Sequence, residues 1–442
     1  MNFLSKFTSD PLFTKIIRSS SSLLSNNAIA LGLSVIQGIM ATRLLGPAGF
    51  GLIGVVMAFA STVNSIFSFR MSELVVRYGG EYLNKDDKQN ASALIKLASL
   101  TEAFVSLLAF FLVFVTATLA ENYLAKTNDA AWMFTVYAVG LLANFNAETA
   151  AGVLQITDKI KLQGVINLIQ ALVTTLVIAG AFFFNGNITV VLIAYLVGKS
   201  IMGLGLFMAA QIQLKKRLGG NYFQTSISNL KNIKEIIHFA FSSNISATII
   251  KIFRESELIW VGLFLDTTAV GYYRVAYTIT HFLAIPADPF IATTFPEINR
   301  LAVEKAWGKL KSFLRKITAF SFAYNILLGF GLIVFGKFII SVYSGDEYLS
   351  AYPALVALTV GLVFNYILFW NRPLLLTLGL PQFPIYVTLI VGLIKLALSF
   401  LLVARYGVVA AGALLSFYYI ASVGIMVWRG IVKIGELENE RL

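Results

Sequence analysis

KIFRESELIWVGLFLDTTAVGYYRVAY, residues 251–277, is the stretch on which the reading of this chain turns. From Leu258 to Leu265 it is apolar without interruption, closing a run that begins near Ile236. At 1.5 Å per residue that run is long enough to cross a hydrocarbon core of about 30 Å. The short turn DTTAV at 266–270 follows, and a second apolar span begins. Two spans joined so tightly make an antiparallel pair of membrane helices. The same stretch carries Lys251, Arg254, Glu255 and Glu257 within seven residues. An unpaired charge at the bilayer centre costs at least about 2.5–3.5 kcal/mol, so these side chains face one another or a wet cavity. On a helical wheel Asn244, Thr248, Lys251 and Glu255 share one stripe, with Arg254 beside it and Glu257 beside Arg254. One reading is a self-neutralised network, Lys251 with Glu255 and Arg254 with Glu257. The other is a cavity wall, which the polar continuation through Asn244 and Thr248 favours.

The rest of the chain repeats the pattern. Of 442 residues, 58% are hydrophobic and 13% charged, with mean hydropathy +0.79; a soluble domain carries about 25% charged residues. Apolar runs of membrane length predict spans at 23–45, 50–71, 92–118, 131–152, 164–184, 187–211, 236–264, 272–293, 315–340, 351–371, 384–404 and 407–429. The fold class is therefore an all-α polytopic membrane protein with twelve transmembrane helices. Short loops leave no room for a sizeable soluble domain. The absence of cysteine excludes disulfides and thiolate chemistry. The net charge of +12 reads as loop charge, not as a nucleic-acid surface. Alternate connections hold Lys6, Lys15, Arg18; Arg77, Lys85, Lys88; Lys159, Lys161; Lys215, Lys216, Arg217, Lys231, Lys234; Arg300, Lys305, Lys309, Lys311; Arg372; and Lys433, Arg441. The opposite set holds little beyond Lys126 and Arg405. This asymmetry places the basic loops and both termini in the cytoplasm. The N-terminal segment lacks a cleavable signal pattern. Leu12, Phe13, Ile16 and Ile17 beside Lys15 and Arg18 predict an interfacial helix within 1–22.

The two halves look alike. RLLGPAGFGLIGVVMAF at 43–59 faces LDTTAVGYYRVAYTI at 265–279; a shift of 222 pairs Gly49-Phe50 with Gly271-Tyr272. A shift of 221 sets LQITDKIKLQGVINLI against LLTLGLPQFPIYVTLI. Six spans per half preserve orientation, so the halves form a parallel repeat with a pseudo-twofold along the membrane normal. The expected organisation is an N-terminal bundle at 1–211, a cytoplasmic linker at 212–235 and a C-terminal bundle at 236–442.

Other polar residues inside spans are candidates for function. Asn27, Ala30, Ser34, Gln37 and Ala41 cluster on one face of the first span, either lining a cavity or packing tightly on a neighbour. The eighth span carries Arg274, His281 and Asp288; His281 and Asp288 share a face, as an ion relay or a structural pair. Pro286 and Pro289 should bend it. Glu102 and Glu148 are candidate ion-coupling sites or partners of lysines on neighbouring spans, and Lys199 and Lys395 are further buried candidates. Arg43 ends the first span, and Arg70 and Glu73 flank the second. VGKS at 197–200 is not a phosphate loop, because Ile193 stands where glycine is required. No metal-ligand cluster, nucleophile–base pair or cofactor motif is present.

TRLLGPAGFG at 42–51, RESELIWVGLFLDTTAVGYYRVAY at 254–277 and FPEINRL at 295–301 resemble the signatures of bacterial O-antigen and exopolysaccharide flippases. These belong to the multidrug/oligosaccharidyl-lipid/polysaccharide exporter superfamily. The resemblance implies two six-helix bundles in the inner membrane. It also implies translocation of an undecaprenyl-pyrophosphate-linked oligosaccharide to the periplasmic leaflet, alongside a polymerase and glycosyltransferases. In the related lipid II flippase branch, matching columns fall on Arg43 and Glu73, whereas Arg70 and Arg274 lie near that branch's basic residues but out of column. On this reading Arg43, Arg70, Lys251, Arg254 and Arg274 hold the pyrophosphate head, and Glu73, Glu255 and Glu257 balance charge between substrates. Two other readings compete. An organic-cation antiporter of the same superfamily would need an acidic cavity. A membrane polymerase or glycosyltransferase would need catalytic surface outside the bilayer, which these loops do not provide.

Overall fold

The computed structural model describes residues 11–68, 70–220, 222–230, 233–238, 248, 252–253, 256–284 and 287–439, with side chains from Asn26 onward except at 229 and 287–293. Every regular element among the described residues is helical, as it must be where lipid offers backbone groups no other partner. The first long helix, Pro11–Phe67, is divided at Gly46 into α1 (11–45) and α2 (47–67). α3 is Lys88–Ala120. α4 is Ala131–Ala143, continued after an interruption as Ala147–Ile156. α5 is Ile160–Phe183 and α6 is Ile188–Leu218. α7 is described from Glu257 to Phe264. α8 is Thr267–His281 and resumes as Ala287–Val303; α9 is Trp307–Ser344. α10 is Tyr352–Ile367 with Asn371–Thr377. The helix Phe383–Asn439 is divided at Gly407 into α11 (383–406) and α12 (408–439).

Local chemistry sets these ends. Gly46 has φ 64° and ψ 177°, a backbone conformation costly for other residues, and Pro47 behind it supplies a φ suited to a helix start. Carboxylate or amide oxygens of Asp87, Asn187 and Asp266 accept the amides of Asn90, Val190 and Ala269, capping α3, α6 and α8.

Seven helical stretches among the described residues are individually long and apolar enough to cross a membrane. Two of these hold two helices each, and the interrupted α4 and α8 and the partly described α7 complete twelve spans. Lengths repeat between the halves: α3 has 33 residues and α9 38, α5 has 24, matched by 383–406, and α4 and α10 are both interrupted past their midpoints. Large side chains such as Phe104, Phe111 and Leu119 on α3, and Leu327, Phe330 and Phe338 on α9, are exposed. Such faces suit lipid contact.

Three expectations need adjustment. The second span ends at Phe67, not 71, and is followed by the short helix Met71–Leu74 and a π-helical turn at Val75–Gly79. The eighth begins at Thr267, inside the turn, because Asp266 caps it there; after the 3-10 turn Phe282–Ala284 it continues to Val303. The linker 212–235 begins as the end of α6, and its Tyr222 and Leu230 enter a hydrophobic core with Leu94, Leu154 and Leu206. Lys96 Nζ donates to the Thr225 carbonyl at 3.2 Å, holding that segment on α3.

The chain divides into two compact units. The first comprises 1–45, 59–121 and 127–248. The second comprises Gly46–Ala58, Asn122–Lys126 and Ile249–Leu442. The second has a core at its basic end, built from Ile298, Leu310, Trp370, Leu374 and Ile434.

Candidate functional site

In the second unit, the turn quoted at the outset meets its first-half counterpart. A Cβ on Gly51 would collide with the Thr267 carbonyl, and one on Gly271 with the Pro47 carbonyl. The two matched turns therefore interlock backbone to backbone, which only residues without side chains permit. Arg274 fastens them. Its guanidinium lies 3.9 Å from the Phe50 ring centroid, and Nη1 donates to the Phe50 carbonyl at 2.8 Å. Nη2 lies 3.7 Å from Met57 Sδ. The combination of ring and carbonyl contact directs this cation into the turn cluster. Lys126 Nζ donates to the carbonyls of Leu263 and Leu265 at 2.8 and 2.6 Å, closing the end of α7.

Below the turns, Glu257 and Lys395 form a buried ion pair between α7 and α11, their side chains 6% and 3% exposed. Tyr273 OH donates to the second Glu257 oxygen at 3.3 Å, and Lys395 Nζ also donates to the Phe253 carbonyl at 3.2 Å. The local pairing expected of Glu257 with Arg254 falls on a residue outside the described ones; the pairing described for Glu257 is this long-range one. A carboxylate so enclosed requires a partner in direct contact, and Lys395 reaches it from the middle of α11. Glu257 is thus committed to helix packing and is not a freely moving counter-charge. The aromatic row Tyr273, Tyr277, His281 runs along α8 to an exposed His281, whose ring centroid is 4.7 Å from that of Tyr277.

In the first unit, Glu102 of α3 accepts the amides of Glu148 and Thr149 at 2.8 and 2.9 Å. It caps the second segment of α4 from another helix, in place of the expected lysine partner. Two N–H donors at a helix start supply the positive end that such a buried carboxylate needs. Glu148 accepts from Ser72 Oγ at 2.6 Å. Arg70 and Glu73 pair with each other at the exposed break after α2. Within the first-span stripe Gln37 is buried and packs on α5: its Nε2 donates to the Ala171 carbonyl and to Thr175 Oγ1, both at 2.9 Å, whereas Asn27 and Ser34 are exposed. Asn27 accepts from Asn167 at 3.0 Å, also on α5, and Ser34 bonds the Ala30 carbonyl of its own helix. Thr248 donates to the Ser65 carbonyl at 3.3 Å. Arg43 is exposed near the end of α1. Asn244, Lys251, Arg254, Glu255 and the side chain of Asp288 lie outside the described residues. Among the described residues no group of His, Cys, Asp and Glu side chains could hold a metal ion.

Lys395 is the partner that the local pairing reading left out, although a lone lysine within an apolar span signals an acid elsewhere in the membrane. Lys126 gave no signal beyond its position.

The inner membrane protein YghQ of Escherichia coli (strain K12) is 23% identical over 344 residues, covering 78% of this chain and 96% of its own. The probable low-salt glycan biosynthesis flippase Agl15 of Haloferax volcanii is 20% identical, covering 90% and 79%. Among solved structures, an inward-facing multidrug resistance transporter of the MATE family, in the MOP superfamily, superimposes with TM-score 0.75 at 14% identity, covering 94% of this chain and 99% of its own. The lipid II flippase MurJ, inward closed, gives TM-score 0.71 at 15% identity, covering 95% and 90%. These likenesses establish the transporter fold. The sequence pattern of one family spans residues 16–302, well over half the chain, and the protein belongs to that family, the polysaccharide biosynthesis proteins.

Proposed function

We propose that the protein is a flippase that carries a lipid-linked oligosaccharide, bearing an anionic pyrophosphate head, from the inner to the outer leaflet of the bacterial cytoplasmic membrane. Family membership supports a role in polysaccharide biosynthesis, and two similar proteins are named as flippases. One observation favours an anionic cargo over a cationic one. The carboxylates buried among the described side chains are Glu102, Glu121 and Glu257. All are engaged: Glu102 and Glu121 by backbone amides and Glu257 by Lys395. A cation antiporter needs a buried acid available to exchange its charge.

In this reading Lys251 and Arg254 contact the head directly, with Arg70 at the basic side and Arg43 at the opposite end of α1, and Glu73 and Glu255 balance them when cargo is absent. Arg274 acts one step away, holding the interlocked turns shut. Both termini lie in the cytoplasm, and a polymerase and glycosyltransferases act before and after the flip. A membrane potential contributes about 2.3 kcal/mol per charge per 100 mV, so two negative charges moving outward gain roughly 4–5 kcal/mol. The potential therefore suffices to set direction. The test is complementation of a strain lacking its own flippase: Arg254→Ala at normal expression is expected to fail, and restored surface polysaccharide in that strain would sink the assignment.

A further inference from the structure

A cavity of roughly 600 Å³ lies at the basic end of the second unit, walled by α9, α10 and α12. Leu314 and Phe322 of α9, Leu368 at the α10 interruption, and Ile431 and Ile434 of α12 make most of its wall apolar. Its rim is cationic. Lys311 and Arg315 lie one turn apart on α9. Lys311 is engaged by Glu438 of α12. Arg315 is exposed and has no ion-pair partner among the described residues. Below the rim, Trp370 Nε1 donates to Thr318 Oγ1 at 2.8 Å, so that pair satisfies itself. From Lys311 to Phe322 the wall descends about three helical turns, roughly 16 Å. Lys309 and Lys316 add positive charge on the same part of α9.

A cation at the mouth and hydrocarbon depth fit an amphiphile with an anionic head and a chain. The walls share the core residues Leu314, Trp370 and Ile434 and belong to one unit. Such a fixed pocket suits a resident lipid better than a cargo that must be released to the opposite leaflet. We propose that this cavity binds an anionic glycerophospholipid of the cytoplasmic leaflet, its phosphate on Arg315 and one acyl chain laid between α9 and α12. The choice of leaflet rests on the orientation proposed above; the site itself does not. Basic pockets between membrane helices on the cytoplasmic side recognise lipid headgroups by this combination of charge and apolar depth.

The experiment titrates the purified full-length protein in neutral micelles with phosphatidylglycerol or phosphatidylcholine of identical chains. Bound lipid is read by native mass spectrometry. Saturable binding of phosphatidylglycerol alone is expected. Arg315→Gln should raise the half-saturating fraction about fivefold, the equivalent of one charge near an anionic lipid surface. Ala319→Trp, which fills the cavity from an exposed position, should abolish binding. Lys216→Gln, an exposed cation of the first unit, should leave it unchanged. Equal binding of phosphatidylcholine, retention of phosphatidylglycerol by both cavity variants, or its displacement by an equimolar polyprenyl phosphate would each overturn the proposal. Binding is measured without transport, so this result and the flippase assignment stand or fall separately.

Discussion

Lys395→Met takes the cation from an ion pair whose members are only 3% and 6% exposed. Among the described residues, what remains is a Glu257 carboxylate with one hydroxyl donor, Tyr273, at 3.3 Å. Removing one partner of a buried pair costs about 3–5 kcal/mol, because the other charge is left uncompensated. At this level of burial solvent screening does not reduce that figure appreciably. The Phe253 carbonyl loses its lysine donor as well. Replacing both members is a different perturbation. Glu257→Leu with Lys395→Met removes two desolvated charges together, and such replacements are often neutral or stabilising. The double variant should therefore be more stable than Lys395→Met alone, with a coupling of about 2–3 kcal/mol or more in the double-mutant cycle. Reversible unfolding in mixed micelles, followed by tryptophan fluorescence, measures the four corners of the cycle. Two independent losses that simply add, or a Lys395→Met protein as stable as the parent, would refute the reasoning.

Three further substitutions probe the same framework. Gly51→Ala places a methyl group against the Thr267 carbonyl and should part the interlocked turns; a single cysteine at Ala48, in a chain with no other cysteine, should then react faster with an impermeant maleimide, and unaltered reactivity would count against the interlock. Glu102→Ala leaves two helix-start amides without an acceptor, a loss of about 1–3 kcal/mol, whereas Glu102→Gln keeps one acceptor and should lose less; equal losses would show that Glu102 is not the cap. Lys126→Ala removes the donor to the last carbonyls of α7 and should lower stability by about 1 kcal/mol, so an unaffected thermal midpoint would argue that those contacts carry no weight.

Much of the architecture was legible because lipid imposes one rule, internal backbone bonding, that length and hydropathy report directly. The spans follow the apolar runs, and the repeat seen in GPAGFG and AVGYYR reappears in the lengths of α3 to α6 and α9 to α12. Interruptions inside spans were harder to see. Those at 144–146 and 368–370 contain neither glycine nor proline. The signal is an asparagine whose side chain competes for local carbonyls: Asn144 Nδ2 donates to Gly140 at 2.8 Å, and Asn371 Nδ2 to Leu368 at 2.7 Å. Charge pairing was the least legible feature. A wheel reveals neighbours three or four residues away, whereas Glu257 meets a lysine 138 positions on. The polar stripe of α1 is visible in sequence, but only packing tells that Gln37 faces α5.

The central claim is outward movement of an anionic lipid-linked oligosaccharide. It is tested most directly in proteoliposomes containing the purified protein and a pyrophosphate-linked oligosaccharide in the inner leaflet. Arrival at the outer leaflet is read by cleavage with an added, impermeant glycosidase. The account predicts protein-dependent arrival, accelerated when the lumen is made negative by about 100 mV and lost in Arg254→Ala. Absence of oligosaccharide transport, with exchange of a fluorescent organic cation for protons by the same vesicles, would contradict it.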